Sequence, residues 1–230
     1  SYTSYRLVPH IAFLDPKLTA SLPPKLTATT GIDALTHAIE AYTSIQKNPI
    51  SDALAQQAIS LISKYLAKSC AEPGDLEART NLALGSLLAG ASFSNAMVGL
   101  VHAIGHSLGG ICHIPHGQAM MLLLSHCVHF NRSHGYHKGL YGELLGALRP
   151  DLDTARLTAT EKDALLETEL FSLNDFYRRQ YGVPNKLSEM GISRKELAAV
   201  AKQARYDGAA LYNRQEITEE VAFTILEAAY

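Results

Sequence analysis

Eight of the ten histidines fall between His102 and His137. The densest stretch, VHAIGHSLGGICHIPHG (101–117), sets His102 and His106 one helical turn apart, and His113 and His116 follow a Gly109-Gly110 pair. Far upstream, GIDALTHAIEAYTSI (31–45) places Asp33 and His37 four residues apart, on one face of a helix otherwise rich in apolar residues. Neutral imidazole nitrogens and a carboxylate oxygen are donors that a divalent transition metal takes, and two of them on successive helical turns make a preorganised half-site. Asp33 and His37 supply one half. His102, with a second histidine from beyond the glycine pair, supplies the other. An Asp-His-His-His set with coordination positions left open suits Fe2+ or Zn2+ in a catalytic role, whereas a closed structural zinc site more often uses cysteine. The plainer readings weigh against each piece alone. A single Asp-x3-His is commonly a surface pair, and a lone buried histidine is commonly a satisfied core residue. His126, His129, His134 and His137 are read in that plain way. The combination of the two histidine groups is what argues for a metal.

These residues need helices to hold them, and the sequence predicts almost nothing else. Pro23-Pro24 suits a helix start. Residues 51–69 carry apolar positions at helical spacing, with Ser51 as the expected N-cap. Asp75 opens a long helix, interrupted near Ser92 to Asn95; Gly109-Gly110 lets the chain turn; a helix follows His116-Gly117. A short helix covers 139–148. Thr158 opens a long one that closes at Gly182, and Ser193 and Thr218 cap two more. This predicts an all-α chain, a bundle of about eight helices. The exception is HIAFLD (10–15), a short apolar run that reads as a buried strand. A lone strand cannot satisfy its backbone donors and acceptors. YTSYRLV (2–8) could pair with it, but an isolated hairpin is marginal. The expectation is therefore an orphan strand left from an α/β nucleotide-binding domain outside this sequence, with 1–22 as strand and linker and 23–230 as the helical metal-binding domain.

Bulk properties exclude several classes. A chain of 230 residues with 47% hydrophobic and 18% charged residues has the composition of a globular protein with a sizeable core. A net charge of −2 with no basic stripe gives no reason to expect nucleic acid or an anionic membrane. The three cysteines, Cys70, Cys112 and Cys127, form no CxxC pair and fit a reducing, cytoplasmic setting. The longest apolar stretch is broken by Asn95, His102 and His106, which suits a buried helix lining a site better than a membrane span.

The motifs FLDPKLTASLPPKLTATTGIDALTHAIEAY, FSNAMVGLVHAIGHSLGG with IPHG, and VPNKLSEMGI resemble the iron-containing (group III) alcohol dehydrogenases, and a weaker likeness extends over the whole chain. The resemblance implies a Rossmann-like N-terminal domain that binds NAD or NADP and an all-helical C-terminal domain that holds the metal; this chain is similar to the second, plus the connecting strand. A glycine-rich pyrophosphate loop should precede this region and is absent. Gly109-Gly110 follows a helix and is no substitute. Carried over position by position, Asp33, His37, His102 and His116 fall on the metal ligands. His106 falls on a histidine beside the nicotinamide and is a candidate for proton relay, His116 also borders the cofactor, and Leu18 falls where an apolar residue contacts NAD. One departure is Asn213-Arg214, where the family often has Asn-Pro-Arg. The implied chemistry is metal-assisted hydride transfer between a small alcohol and its aldehyde or ketone, with Fe2+ or alternatively Zn2+, in a homo-oligomer such as a dimer. The chain by itself is expected to be inactive. Two rivals remain: a helical metal-dependent phosphohydrolase, which would normally carry an adjacent His-Asp pair that this sequence lacks, and a non-enzymatic helical interaction domain.

Overall fold

The computed structural model describes residues 9–230, and every regular element among them is helical. Eight helices have ten residues or more: α1 (Pro24–Thr43), α2 (Pro49–Ala71), α3 (Leu76–Ala96), α4 (Leu100–Cys112), α5 (His116–Ser133), α8 (Ala159–Tyr181), α9 (Arg194–Ala204) and α10 (Glu219–Ala228). Two four-residue turns, α6 (Leu140–Glu143) and α7 (Leu145–Leu148), stand where one short helix was expected. The expected strand at 10–15 is not formed. Among the described residues no strand lies beside it to pair its backbone, and Ile11 and Phe13 stand 70% and 88% exposed instead of buried. Its suggested partner, 2–8, lies outside the described residues.

Helix α1 is the centre of the fold. It packs on α2 and α3, and also on α4, α5 and α8. Ala28, Ile32, Leu35, Ala38 and Ile39 are all buried, and so are Thr36 and Glu40 on other faces, so almost the whole circumference is enclosed. A helix buried all round has no water for its polar groups, which must find partners inside the protein. Close approach to α2 depends on Gly31, where a Cβ would fall 2.3 Å from Leu66 Cδ1. Buried Arg79 of α3 ties this region together, donating to Thr27 Oγ1 at 2.9 Å, to the Pro73 carbonyl at 3.1 Å and to the Leu22 carbonyl at 3.4 Å.

Most helix ends follow from local chemistry. Thr158 and Glu161 form a capping box at the start of α8, which closes at Gly182 in the left-handed conformation. Ser193 and Glu196 do the same for α9, and Thr218 caps α10. Three expectations shift. The cap of α2 is Asn48 and not Ser51, because Pro49 takes the first helical position and Ser51 becomes the third residue, bonding back to the Asn48 N–H. The break after Asp75 comes at Met97–Gly99, beyond the 92–95 expected, and α4 leaves α3 at 102° there. Gly109 and Gly110 do not turn the chain at all. Both lie inside α4, and the turn falls at His113, which adopts φ 56°. Arg214, at the departure from the family pattern, donates to the carbonyls of Thr43 (3.0 Å) and Ser44 (3.3 Å) and so caps the C-terminus of α1. No single helix among the described residues is long and apolar enough to cross a membrane.

Candidate metal centre

Asp33 and His37 lie one turn apart on α1 and face α4, which starts with a right-angle break that turns His102 inward to meet them. One ligand atom each from Asp33, His37 and His102 lie within 4.8 Å of one another. His116, the first residue of α5, brings its Nε2 to 3.4 Å from Asp33 Oδ1, although it is not part of that mutually close trio. Gly117 permits this approach: a Cβ there would lie 2.9 Å from the Thr29 backbone carbonyl oxygen, so only glycine lets the α5 start press against α1.

Two polar atoms in this cluster are buried without any hydrogen-bond partner, Asp33 Oδ1 and His102 Nε2. They are 3.6 Å apart, too long for a hydrogen bond. Two donors about 2.1 Å from one tetrahedral ion lie about 3.4 Å apart, close to the 3.4 and 3.6 Å that separate Asp33 Oδ1 from His116 Nε2 and His102 Nε2. Hydrogen bonds at the opposite ring nitrogens leave the ligand nitrogens free. His37 Nδ1 lies 2.9 Å from the Asp33 carbonyl oxygen, one turn back in its own helix, and His102 Nδ1 lies 2.6 Å from Glu40 Oε2. A divalent cation therefore fits the donor set that these residues present.

The electrostatics show how the groups respond to one another. Burial pushes the Asp33 carboxyl up, but the imidazoles of His102 and His116 outweigh it and hold the group below the usual carboxylate range. Burial, reinforced by facing His102, pushes His37 down to about 4. Burial also opposes charge on His102, yet Asp33 and Glu40 together raise it to about 9.

His106, one turn beyond His102, is 38% exposed at its side chain and aims Nδ1 at the Asp207 carboxylate, 3.1 Å away. Its ring stacks on that of His116 at 5.5 Å between centroids. His37 packs on Phe93 at 4.5 Å. Leu18 lies in a short 3-10 turn, Pro16–Leu18, with its side chain exposed and the turn resting against α3. His126, His129, His134 and His137 take no part in the cluster. His129, for example, pairs with Glu167 at 2.9 Å.

Two residues of the site escaped the sequence reading. Glu40 lies on the same helical stripe as Asp33 and His37, which the sequence shows, but that it faces the start of α4 follows only from the packing. Asp207 is separated from His106 by 101 residues, and no local pattern marks it.

Comparison with known proteins decides the family. Residues 27–230 match the C-terminal part of the Fe-containing alcohol dehydrogenase family. The chain belongs to that family. It is 39% identical over 228 residues to 1,3-propanediol dehydrogenase of Klebsiella pneumoniae, which covers 99% of this chain and 57% of the relative. It is 33% identical over 230 residues to NADPH-dependent butanol dehydrogenase of Clostridium saccharobutylicum, covering 98% of this chain and 56% of the relative. The alcohol dehydrogenase from Oenococcus oeni has the same fold, with a TM-score of 0.89 at 33% identity over 97% of this chain and 56% of that one. The chain thus spans little more than half the length of the Fe-containing alcohol dehydrogenases it matches.

Proposed function

We propose that this chain is the metal-binding part of an NAD(P)-dependent alcohol dehydrogenase, with Asp33, His37, His102 and His116 as the residues that hold a divalent ion. The observation that carries the reading is the pair of buried, unpartnered atoms, Asp33 Oδ1 and His102 Nε2, aimed into one space beside two further imidazoles. The ion, Fe2+ or Zn2+, supplies Lewis acidity toward the oxygen of an alcohol or carbonyl. The remaining work falls to the protein. The free nitrogens of His37 and His102 are preorganised by hydrogen bonds at the opposite side of each ring. His106, exposed at the edge of the cluster with Nδ1 turned to the Asp207 carboxylate, keeps its other nitrogen, Nε2, free to take up a proton and pass it between the site and solvent.

The relatives named above act on 1,3-propanediol and butanol by their names, and a small alcohol and its aldehyde or ketone are the substrate class we assign. The nucleotide's pyrophosphate calls for a strand, a glycine-rich turn and a helix N-terminus, and the described residues contain no strand. In our reading the nucleotide-binding elements lie outside these residues, Leu18, His106 and His116 approach the cofactor from this side, and the 230 residues alone do not turn over alcohol. The working enzyme is a cytoplasmic homo-oligomer in this reading.

Protein purified without chelator and analysed by plasma emission should carry about one iron or zinc per chain, the count expected of a four-donor site. His37→Ala and His102→Ala should each carry far less. Protein that holds no metal and takes up neither ion on dialysis would refute the assignment. Saturable micromolar NAD binding to this chain would refute the placement of the nucleotide site elsewhere.

A further inference from the structure

Glu40 is buried at the meeting of α1 and α4, 6% exposed, and among the described residues no lysine or arginine is paired to it. Its carboxylate turns to the start of α4. Oε1 accepts the Val101 N–H at 2.6 Å, and Oε2 lies 3.4 Å from the His102 N–H and 2.6 Å from His102 Nδ1. Helix α4 has Gly99 at its cap position with no side-chain hydrogen bond, so its first N–H groups lack a local acceptor. The carboxylate from α1 takes that place.

The same carboxylate meets a need peculiar to His102. His37 sits deep in α1, and its Nδ1 is held by a helix carbonyl four residues back, that of Asp33. His102 is the third residue of α4, so the position four residues earlier, Val98, precedes the helix. A ring there has no helical carbonyl to fix which nitrogen carries the proton. Without a fixed partner the ring samples both tautomers and several orientations.

We propose that Glu40 is a positioning residue of the metal centre: it holds His102 as the Nδ1–H tautomer, with the Nε2 lone pair directed toward Asp33, and fixes α4 against α1 at the spacing the ligands need. This rests on the metal reading above. Glu40 itself ligates nothing, since both its oxygens are spent on α4. It acts through His102 alone.

Zinc competition titrations of the 230-residue chain and its E40Q variant test this. Glutamine keeps the size and one acceptor but cannot serve both the backbone and the ring. E40Q should lose roughly 10- to 100-fold in zinc affinity, the usual cost of removing such a support. In an H102A background the same substitution should change zinc affinity by less than about two-fold, because the ring it supports is gone. A purely structural Glu40 would lower the unfolding temperature of the metal-free chain and leave zinc affinity unchanged, or cost the same affinity in both backgrounds; either result overturns the proposal. Nitrogen-15 spectra of the zinc-loaded parent chain give a reading that needs no variant. His102 should show a protonated Nδ1, and a protonated Nε2 overturns the proposal even if E40Q fails to fold. A parent chain that binds no zinc refutes the metal reading; a parent that binds and an E40Q that matches it refute the role of Glu40 alone.

Discussion

His106 Nδ1 and the carboxylate of Asp207 meet at 3.1 Å although 101 residues separate them in the chain. Asp207 also accepts the Ala209 N–H at 2.8 Å and caps the 3-10 turn Gly208–Tyr212 that packs on α4. It thus has two duties, one toward a histidine and one toward a backbone. Asp207→Ala should cost about 1 kcal/mol of stability, the typical loss of a capping side chain, read from urea unfolding midpoints. Zinc affinity should stay within about two-fold, because none of the four ligands loses its support. A large loss of zinc binding would mean that Asp207 belongs to the metal shell and not to His106.

Glycines in this chain have opposite expected responses, depending on what a Cβ would meet. At Gly117 it would lie 2.9 Å from the Thr29 carbonyl oxygen, a backbone atom that cannot rotate away. Gly117→Ala should therefore push the start of α5 off α1, cost about 1–3 kcal/mol of stability, and carry His116 away from Asp33 with a measurable drop in zinc affinity. Gly110, inside α4, has nothing within 4 Å of that position. Gly110→Ala should raise stability by about 0.5–1 kcal/mol and leave zinc binding alone. The contrast fails if the two variants change stability in the same direction.

The glycine pair also shows where the sequence was misleading. Gly109-Gly110 looked like a turn, yet a helix tolerates glycine when its ends are held elsewhere, and the left-handed position went to His113, a residue type enriched there. Several signals that depended on neighbouring residues alone held: the helix starts at Thr158, Ser193 and Thr218, the closing Gly182 and the proline start of α1, although the Ser51 cap did not. The run at 10–15 is not a strand, because a strand needs a neighbour to pair its backbone and none lies beside it among the described residues. For the site, Asp33-x3-His37 was legible as a pair because helical period sets both on one face, whereas joining His102 to them rested on the resemblance, since the packing of α4 on α1 and not spacing brings it there. Glu40 and Asp207 were missed. Their meaning lies in which helix faces them, and only the packing of α1 and the residues after α9 on α4 supplies that.

Buried Arg79 allows a test of the packing around the α1 start. Its guanidinium reaches Thr27 Oγ1 and two backbone carbonyls. Arg79→Met keeps much of the stem and removes every donor. It should destabilise the chain by about 2–3 kcal/mol, because the Thr27 hydroxyl and the Pro73 and Leu22 carbonyls lose their partner together. Thr27→Val removes a single acceptor and should cost about 1 kcal/mol. Equal losses in the two variants would show that the carbonyl contacts contribute nothing.

His137 supplies a pH dependence that is separate from the metal ligands. Burial, helped by the positive charge of Arg214, pushes its imidazole down to about 4, and its Nδ1 is buried without a partner. An unfolded histidine titrates near 6.5. Between these values the unfolded chain binds a proton that the folded chain refuses, so stability present above about pH 6.5 is lost as the pH falls toward 4. The loss from this one group reaches at most about 3 kcal/mol. Asparagine is the suitable replacement, because residue 137 has φ 60° and asparagine tolerates that conformation. His137→Asn should be less sensitive to acid than the parent when unfolding free energies at pH 7, 6, 5 and 4.5 are compared. His37 is depressed in the same direction, so both proteins keep some acid sensitivity, and the difference between them isolates His137. Parallel curves, displaced by a constant amount, would show that His137 does not refuse the proton.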